Sequence, residues 1–259
     1  MAISHAVHAD MFFVPRTDFK PFLATTSFPV LITELASIIG QYVLAFRKGE
    51  AGFEPIVLTD IGFGRNLYVR RDGKWMSRYQ PLCLQGYPFR LELSEQGKQC
   101  LHLAKEHLVS ASTPEGHPIF DQDGEYTETV QKYFSILEKM EVAHQRTLRG
   151  CHILEQEGLF AEWDLKIRMQ QDTDPVGIPG LYKIDPERLL SLSGQKLAYL
   201  KDNGILTFAL SQPMSMKHVS ILMERASYLM RQEAGERKVT RPSGPKPSFD
   251  LSDDEMISF

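Results

Sequence analysis

Cysteine is scarce in this chain: Cys83, Cys100 and Cys151 are the only three in 259 residues, an odd number without the paired spacing of a zinc site. A disulfide framework is thereby excluded, and buried thiols in a reducing compartment are the expectation. Long apolar runs are missing too. No segment approaches the roughly 20 apolar residues that a bilayer-spanning helix needs. The opening MAISHAVHADMFFVPRTDF carries Asp10 and Asp18 where a secretory signal would hold an unbroken apolar stretch. A cytoplasmic, unexported protein is expected. Nor does one sign of charge dominate: 29 Lys plus Arg against 33 Asp plus Glu give a formal charge of −4, which supplies no overall pull toward nucleic acid or an acidic membrane.

Familiar catalytic signatures are absent as well. Gly62–Gly64 reads GFG and Gly177–Gly180 reads GIPG, but neither ends in the Lys-Ser/Thr of a phosphate-binding loop, so turns explain these glycines. There is no GxSxG nucleophile elbow, kinase HRD or dinucleotide fingerprint. His5 and His8 precede Asp10, yet two histidines near a terminus do not make a metal site, and His102 with His107 is not an HExxH pair. No metal and no cofactor is expected. Arg65, Arg70, Arg71, Lys74 and Arg78 punctuate aromatic segments, but no RRM, KH or zinc framework accompanies them, and nucleic-acid binding is not favoured.

What is present is enough Leu, Ile, Val, Phe and Met for a substantial core without disulfides. ITELASIIG, with Leu31, Leu35, Ile38 and Ile39 on one face, predicts a short helix, followed by a strand over Tyr42–Phe46 and a turn at RKGEAG. Further strands are predicted in Phe53–Thr59, Asn66–Arg70, Trp75–Tyr79 and Leu82–Leu93, with Asn66–Tyr79 as a hairpin around Arg70–Lys74. Ser94–Ser112 reads as partly helical. Thr127–Glu157 is a long helix by its apolar spacing, stopped by Gly158, and Phe160–Met169 returns as strand. Asp185-Pro186 opens a short helix, Ser193–Lys201 forms another, Ile205–Leu210 reads as a late strand and Met216–Arg231 as a final amphipathic helix. The expected fold is α+β or α/β, with a twisted, mixed or mostly antiparallel sheet flanked by helices. From Gly235 the composition turns to Pro, Gly and blocks of charge, which predicts a flexible tail over 235–259, with Phe249, Met256, Ile257 and Phe259 as a possible docking motif.

Several ordered marks resemble the SapC-like family: Gly62 with Asn66–Val69, Asp72-Gly73 with Trp75, Tyr87–Phe89, Phe120–Gly124, and Gly180–Asp185 followed by Leu197–Phe208. The resemblance covers roughly residues 8–233 and implies one mixed α/β body over 1–234. The family name is associated with a bacterial surface-layer secretion system, and its members have also been labelled transporter-related. No membrane-spanning segment here supports a permease. The chain departs from the family's arginine-rich approach to YPF, carrying Leu84-Gln85-Gly86 before Tyr87, so ligand contacts do not transfer from relatives at that point.

Arg65, Asn66, Arg70, Trp75, Arg78 and Tyr87 are the candidate ligand-binding residues. Arginine offers a rigid fork of donors to a carboxylate or phosphate, while asparagine and tyrosine satisfy donors and acceptors together. The expected function is a soluble adaptor or ligand-recognition component of a larger bacterial enzyme or envelope-associated process, binding a protein or peptide noncovalently. The alternative is an enzyme that modifies or hydrolyses a peptide-like or small acidic substrate, with Arg65, Arg78 and one carboxylate among Glu34, Asp60, Glu162 and Asp164.

Overall fold

Strand pairing joins segments from both ends of the chain. In a computed structural model that describes residues 1–94, 97–168 and 174–235, a short helix His5–His8 (α1) leads to strands Met11–Phe13 (β1) and Ser27–Pro29 (β2) and to helix Leu35–Ile38 (α2). Val43–Gly49 (β3) and Gly52–Leu58 (β4) form the central hairpin. They are followed by Phe89–Leu93 (β5), Gln99–Leu103 (β6), Leu108–Ser110 (β7) and His117–Pro118 (β8). After the long helix Glu128–Gln156 (α3) come strands Phe160–Glu162 (β9), Leu165–Ile167 (β10), Val176–Ile178 (β11) and Tyr182–Ile184 (β12). Helices Pro186–Leu190 (α4), Gly194–Asp202 (α5), Ile205–Ser215 (α6) and Val219–Gly235 (α7) complete the order.

The main sheet has the order β2-β4-β3-β12-β9, and every strand pairing among the described residues is antiparallel. Val43–Phe46 and Pro55–Leu58 are buried without a break. Because neighbouring strand residues face opposite sides, that continuity means both faces of the central hairpin are covered. Helix α3 lies against β4, and α6 lies against β3 and β12. Phe46 of β3 meets Phe208 of α6 at 5.4 Å and Phe160 of β9 at 4.8 Å between ring centres.

β3 and β12 pair only at Phe46 and Tyr182, and α6 repairs the gap beyond. The buried Gln212 side chain donates from Nε2 to the Leu44 carbonyl (3.3 Å) and accepts at Oε1 from the Ile184 amide (3.0 Å). Ser215 Oγ accepts from the Leu44 amide at 2.9 Å. Two side chains of one helix thus stand in for a missing stretch of ladder, which meets the requirement that buried backbone groups be paired.

A second cluster of buried residues gathers Ile3, Phe13, Phe89, Leu101, Ile119 and Val130 among others, around β1 with β7 and β8 and the β5–β6 ribbon. Met1 and Ile3 extend that ribbon, Ile3 donating to the Leu101 carbonyl and Leu103 to that of Met1. At 29 residues α3 is roughly 43 Å long, and it serves both clusters: Val130 and Leu137 face this one, Cys151, Ile153 and Leu154 the main one.

Four segments differ from the sequence expectation. Asn66–Tyr79 is not a hairpin ladder but a turn closed by a single bridge, Val69 to Trp75; Leu67, Tyr68 and Val69 are all buried, so the segment docks by side chains and lacks strand alternation. Ser94–Ser112 is mainly β6, one 3-10 turn at Lys105–His107 and β7, because Leu101 and Leu103 bury at a spacing of two. Ile205–Leu210 is helical. Phe160–Met169 becomes two short strands, with Met169 outside the described residues, as is the tail expected beyond Gly235. Replacing Gln212 with Leu strands a carbonyl and an amide in the core, and should cost about 2 kcal/mol or more in urea unfolding. A loss below about 0.5 kcal/mol would contradict the bridging role.

Candidate functional site

Asp60–Phe89 has little regular structure, and a buried polar seam holds it in place. Glu34 is only 3 % exposed. Its Oε1 accepts from the Leu31 amide (3.2 Å), and its Oε2 accepts from Tyr79 Oη (2.9 Å) and the Leu82 amide (2.8 Å). Burial raises the Glu34 pKa above its ordinary 4.5, outweighing the three donors that lower it. Burial, then the Glu34 charge, pushes the Cys83 thiol up to about 12. Tyr42 Oη donates to the Tyr79 carbonyl, and Trp75 Nε1 donates to Tyr42 Oη at 2.9 Å. Gln41 Oε1 accepts from Ser77 Oγ and from the amides of Arg78 and Tyr79. Tyr42, Tyr68 and Trp75 stack, and the Arg225 guanidinium of α7 lies 4.3 Å from the centre of the Tyr68 ring.

The six candidate residues separate within this framework. Asn66 is buried: Nδ2 donates to the Phe22 carbonyl (3.2 Å) and Oδ1 accepts from the Tyr68 amide (2.9 Å), fixing the loop. Trp75 is half-buried in the aromatic stack, 5.1 Å from Phe19. Arg70 sits in the turn with Asp72 at 3.4 Å, and Arg65 is half-buried beside Asn66. The Arg78 side chain is exposed. Tyr87 precedes the cis bond to Pro88, donates to Glu106 Oε1 at 2.8 Å and packs its ring against Phe22 and His107. Burial, with that hydrogen bond, pushes its pKa up to about 12.

The carboxylates weighed for acid–base work are scattered. Glu34 is spent in the seam, and Asp60 caps a turn by accepting from the Phe63 and Gly64 amides. Glu162 and Asp164 stand exposed at a cleft of about 580 Å³ beside the β11–β12 turn, Asp164 paired with Lys166 at 2.5 Å. Among the described residues no three His, Cys, Asp or Glu side chains gather to hold a metal, and no helix is long and apolar enough to cross a membrane.

Two features lay outside the sequence reading. The first is the outer face of α6. Phe208, Ser211, Gln212 and Ser215 turn inward at helical spacing, yet the other side carries apolar residues too: Leu210 is 44 % exposed and Met214 is 53 % exposed, while the half-buried Leu206 packs against the main core. The second is a cleft of about 490 Å³ where α3, the segment around Ile32 and the start of α6 meet. Arg146 and Arg149 of α3 stand at it, opposite Asp202 and Asn203, over a floor that includes Gly150 and Ile205. Three-residue spacing puts both arginines on one flank of α3, which the long-helix reading contained; the wall opposite required knowing that Ile205 begins a helix.

The family model described as SapC matches residues 3–222, nearly the whole described body. The chain belongs to the SapC family. The match runs from the segment beside β6 into α7, so the seam, both clefts and α6 all lie in the family region. No curated protein sequence and no solved structure matches the chain.

Because the folded SapC chain holds the Glu34 proton more tightly than the unfolded chain, the Glu34 contribution is greatest below pH 4.5. It declines as pH rises through the interval up to the raised folded value. The stability of wild type minus that of Glu34→Gln, from urea titrations across pH, should therefore fall over that interval; a flat or rising difference would count against a desolvated Glu34. Burial also pushes Cys151 up to about 12. Iodoacetamide at pH 8 should accordingly label Cys100 well before Cys83 or Cys151 in peptide mass maps, and preferential labelling of Cys83 would reverse that assignment.

Proposed function

We propose that this SapC-family chain is a noncovalent recognition component that binds a protein or peptide partner across the outer face of α6, acting in the cytoplasm as part of a larger assembly. The observation that carries the reading is the double-sided apolar character of α6. Its inner side is committed to the sheet through Phe208 and Gln212, while Leu210 and Met214 stand exposed one turn apart on the outer side and the half-buried Leu206 packs against the core at its edge. A helix apolar on both sides is one that is covered on both sides. The neighbouring α5 adds an exposed aromatic, Tyr199, at 48 %.

From Leu210 to Met214 the row is one helical turn, roughly 6 Å of helix, enough for one or two anchoring side chains of a partner. The outward residues of Arg70–Arg78 offer cations without comparable apolar area, so they suit the rim of an interface more than its centre. Three unbridged thiols agree with a reducing compartment.

Crosslinking of the full chain in native lysate should recover one reproducible partner through lysines flanking α6, among them Lys201 and Lys217. Leu210→Glu, at an exposed position, should weaken that capture by about thirtyfold, the scale of one interface hot spot, without changing the unfolding midpoint. Equal capture by the variant, or crosslinks spread over the whole surface, would overturn the reading.

A further inference from the structure

The cleft at the start of α6 has a charge pattern that the fold itself leaves unused. Arg146 and Arg149 are exposed side chains one turn apart on α3, and neither makes an ion pair or side-chain hydrogen bond among the described residues. The acidic side chain at the same cleft is Asp202, so two guanidiniums against one carboxylate leave a net charge of +1. Thr33 and Asn203 add neutral polar groups at the rim, while the half-buried Ile32, with the buried Ile153 and Ile205, gives an otherwise polar cleft an aliphatic patch. Gly150 keeps the floor low: a Cβ there would already be 3.7 Å from Phe208 and 3.8 Å from Ile205, so a longer side chain would fill the space.

We infer that this cleft binds a carboxylate together with an aliphatic side chain beside it, as presented by the carboxyl-terminal residue of a peptide. The arginine fork matches the planar, two-oxygen geometry of a carboxylate, and a net charge of +1 is balanced by one carboxylate rather than by a doubly charged phosphate. The aliphatic patch accounts for the second element, because carboxylate and side chain leave the same α-carbon of a terminal residue. A volume of about 490 Å³ holds such a residue and the peptide unit before it. The inference rests on the proposed recognition role and deepens it. Ile205 lines the cleft and opens α6, so a chain anchored here by its end lies at the start of the helix that carries Leu210 and Met214.

The test uses N-acetyl-leucine, which carries carboxylate and side chain on one carbon, and N-acetyl-leucinamide, which has the same shape without the charge. Each is titrated into the full isotope-labelled chain at constant ionic strength while backbone amide resonances are followed. Saturable shifts are expected at Gly150, Gly204 and Ile205. The amide, and separately the acid with an Arg146→Ala/Arg149→Ala chain, should bind at least about tenfold more weakly, as the loss of a charge-assisted contact requires. Equal binding of acid and amide, shifts that never saturate, or shifts centred away from the cleft would overturn the inference. This comparison needs no partner protein. A cleft that fails it while Leu210→Glu still loses its crosslinked partner refutes the carboxylate site alone, and the converse pattern refutes the α6 surface alone.

Discussion

Helix α3 sets the constraint on which the rest of the structure depends. One continuous helix packs Val130 and Leu137 into the smaller cluster and Cys151, Ile153 and Leu154 into the larger one. Between them Thr147 ties the helix to the chain entering α2: its Oγ1 accepts from the Ile32 amide at 2.9 Å and donates to the Ala143 carbonyl at 2.7 Å. One turn later Gly150 faces α6, within ordinary contact distance of Phe208 and Ile205. A glycine in a helix interior usually costs stability, and here it stands where three elements meet around one open cleft. Burying Ala143, Thr147 and Gly150 turns Arg146 and Arg149 outward by the same rotation.

α6 carries the second half of the arrangement. Gln212 and Ser215 must face the sheet to complete the β3 and β12 ladder, which fixes the helix's rotation about its axis. With that rotation fixed, Leu210 and Met214 have no choice but to face outward. The outward row is therefore a consequence of how the sheet is completed, and its apolar character is the feature that folding does not require. By contrast, the Glu34 seam spends nearly all its polar groups on holding the Asp60–Phe89 segment in place.

The long helix and its Gly158 stop were legible because apolar residues recur over eight turns, and the Asp185 cap with Pro186 was legible because cap chemistry is local. The central β3–β4 hairpin was legible from two apolar runs separated by a glycine-bearing turn. ILTFAL read as strand because a run apolar on both sides carries no helical period; the inward Gln212 and Ser215 that reveal the period lie beyond it. Asn66, Trp75 and Tyr87 look like ligand residues in sequence because amide, indole and phenol groups serve buried networks and ligands equally. Only their partners, Phe22, Tyr42 and Glu106, distant in sequence, tell the two uses apart. Glu34 was noticed as a carboxylate, but its burial depends on Leu82 and Tyr79 arriving from the far side of the loop.

The account turns on the outer face of α6 being a contact surface, and methionine methyl groups report on it directly. Met214 lies on that row at 53 % exposure, while Met230, on the separate helix α7, is 39 % exposed and serves as an internal control. With methyl-labelled full chain in native lysate, the Met214 resonance should broaden or shift selectively relative to buffer while that of Met230 stays sharp. Met214 remaining as sharp as in buffer, or both methyls responding alike, would contradict the account.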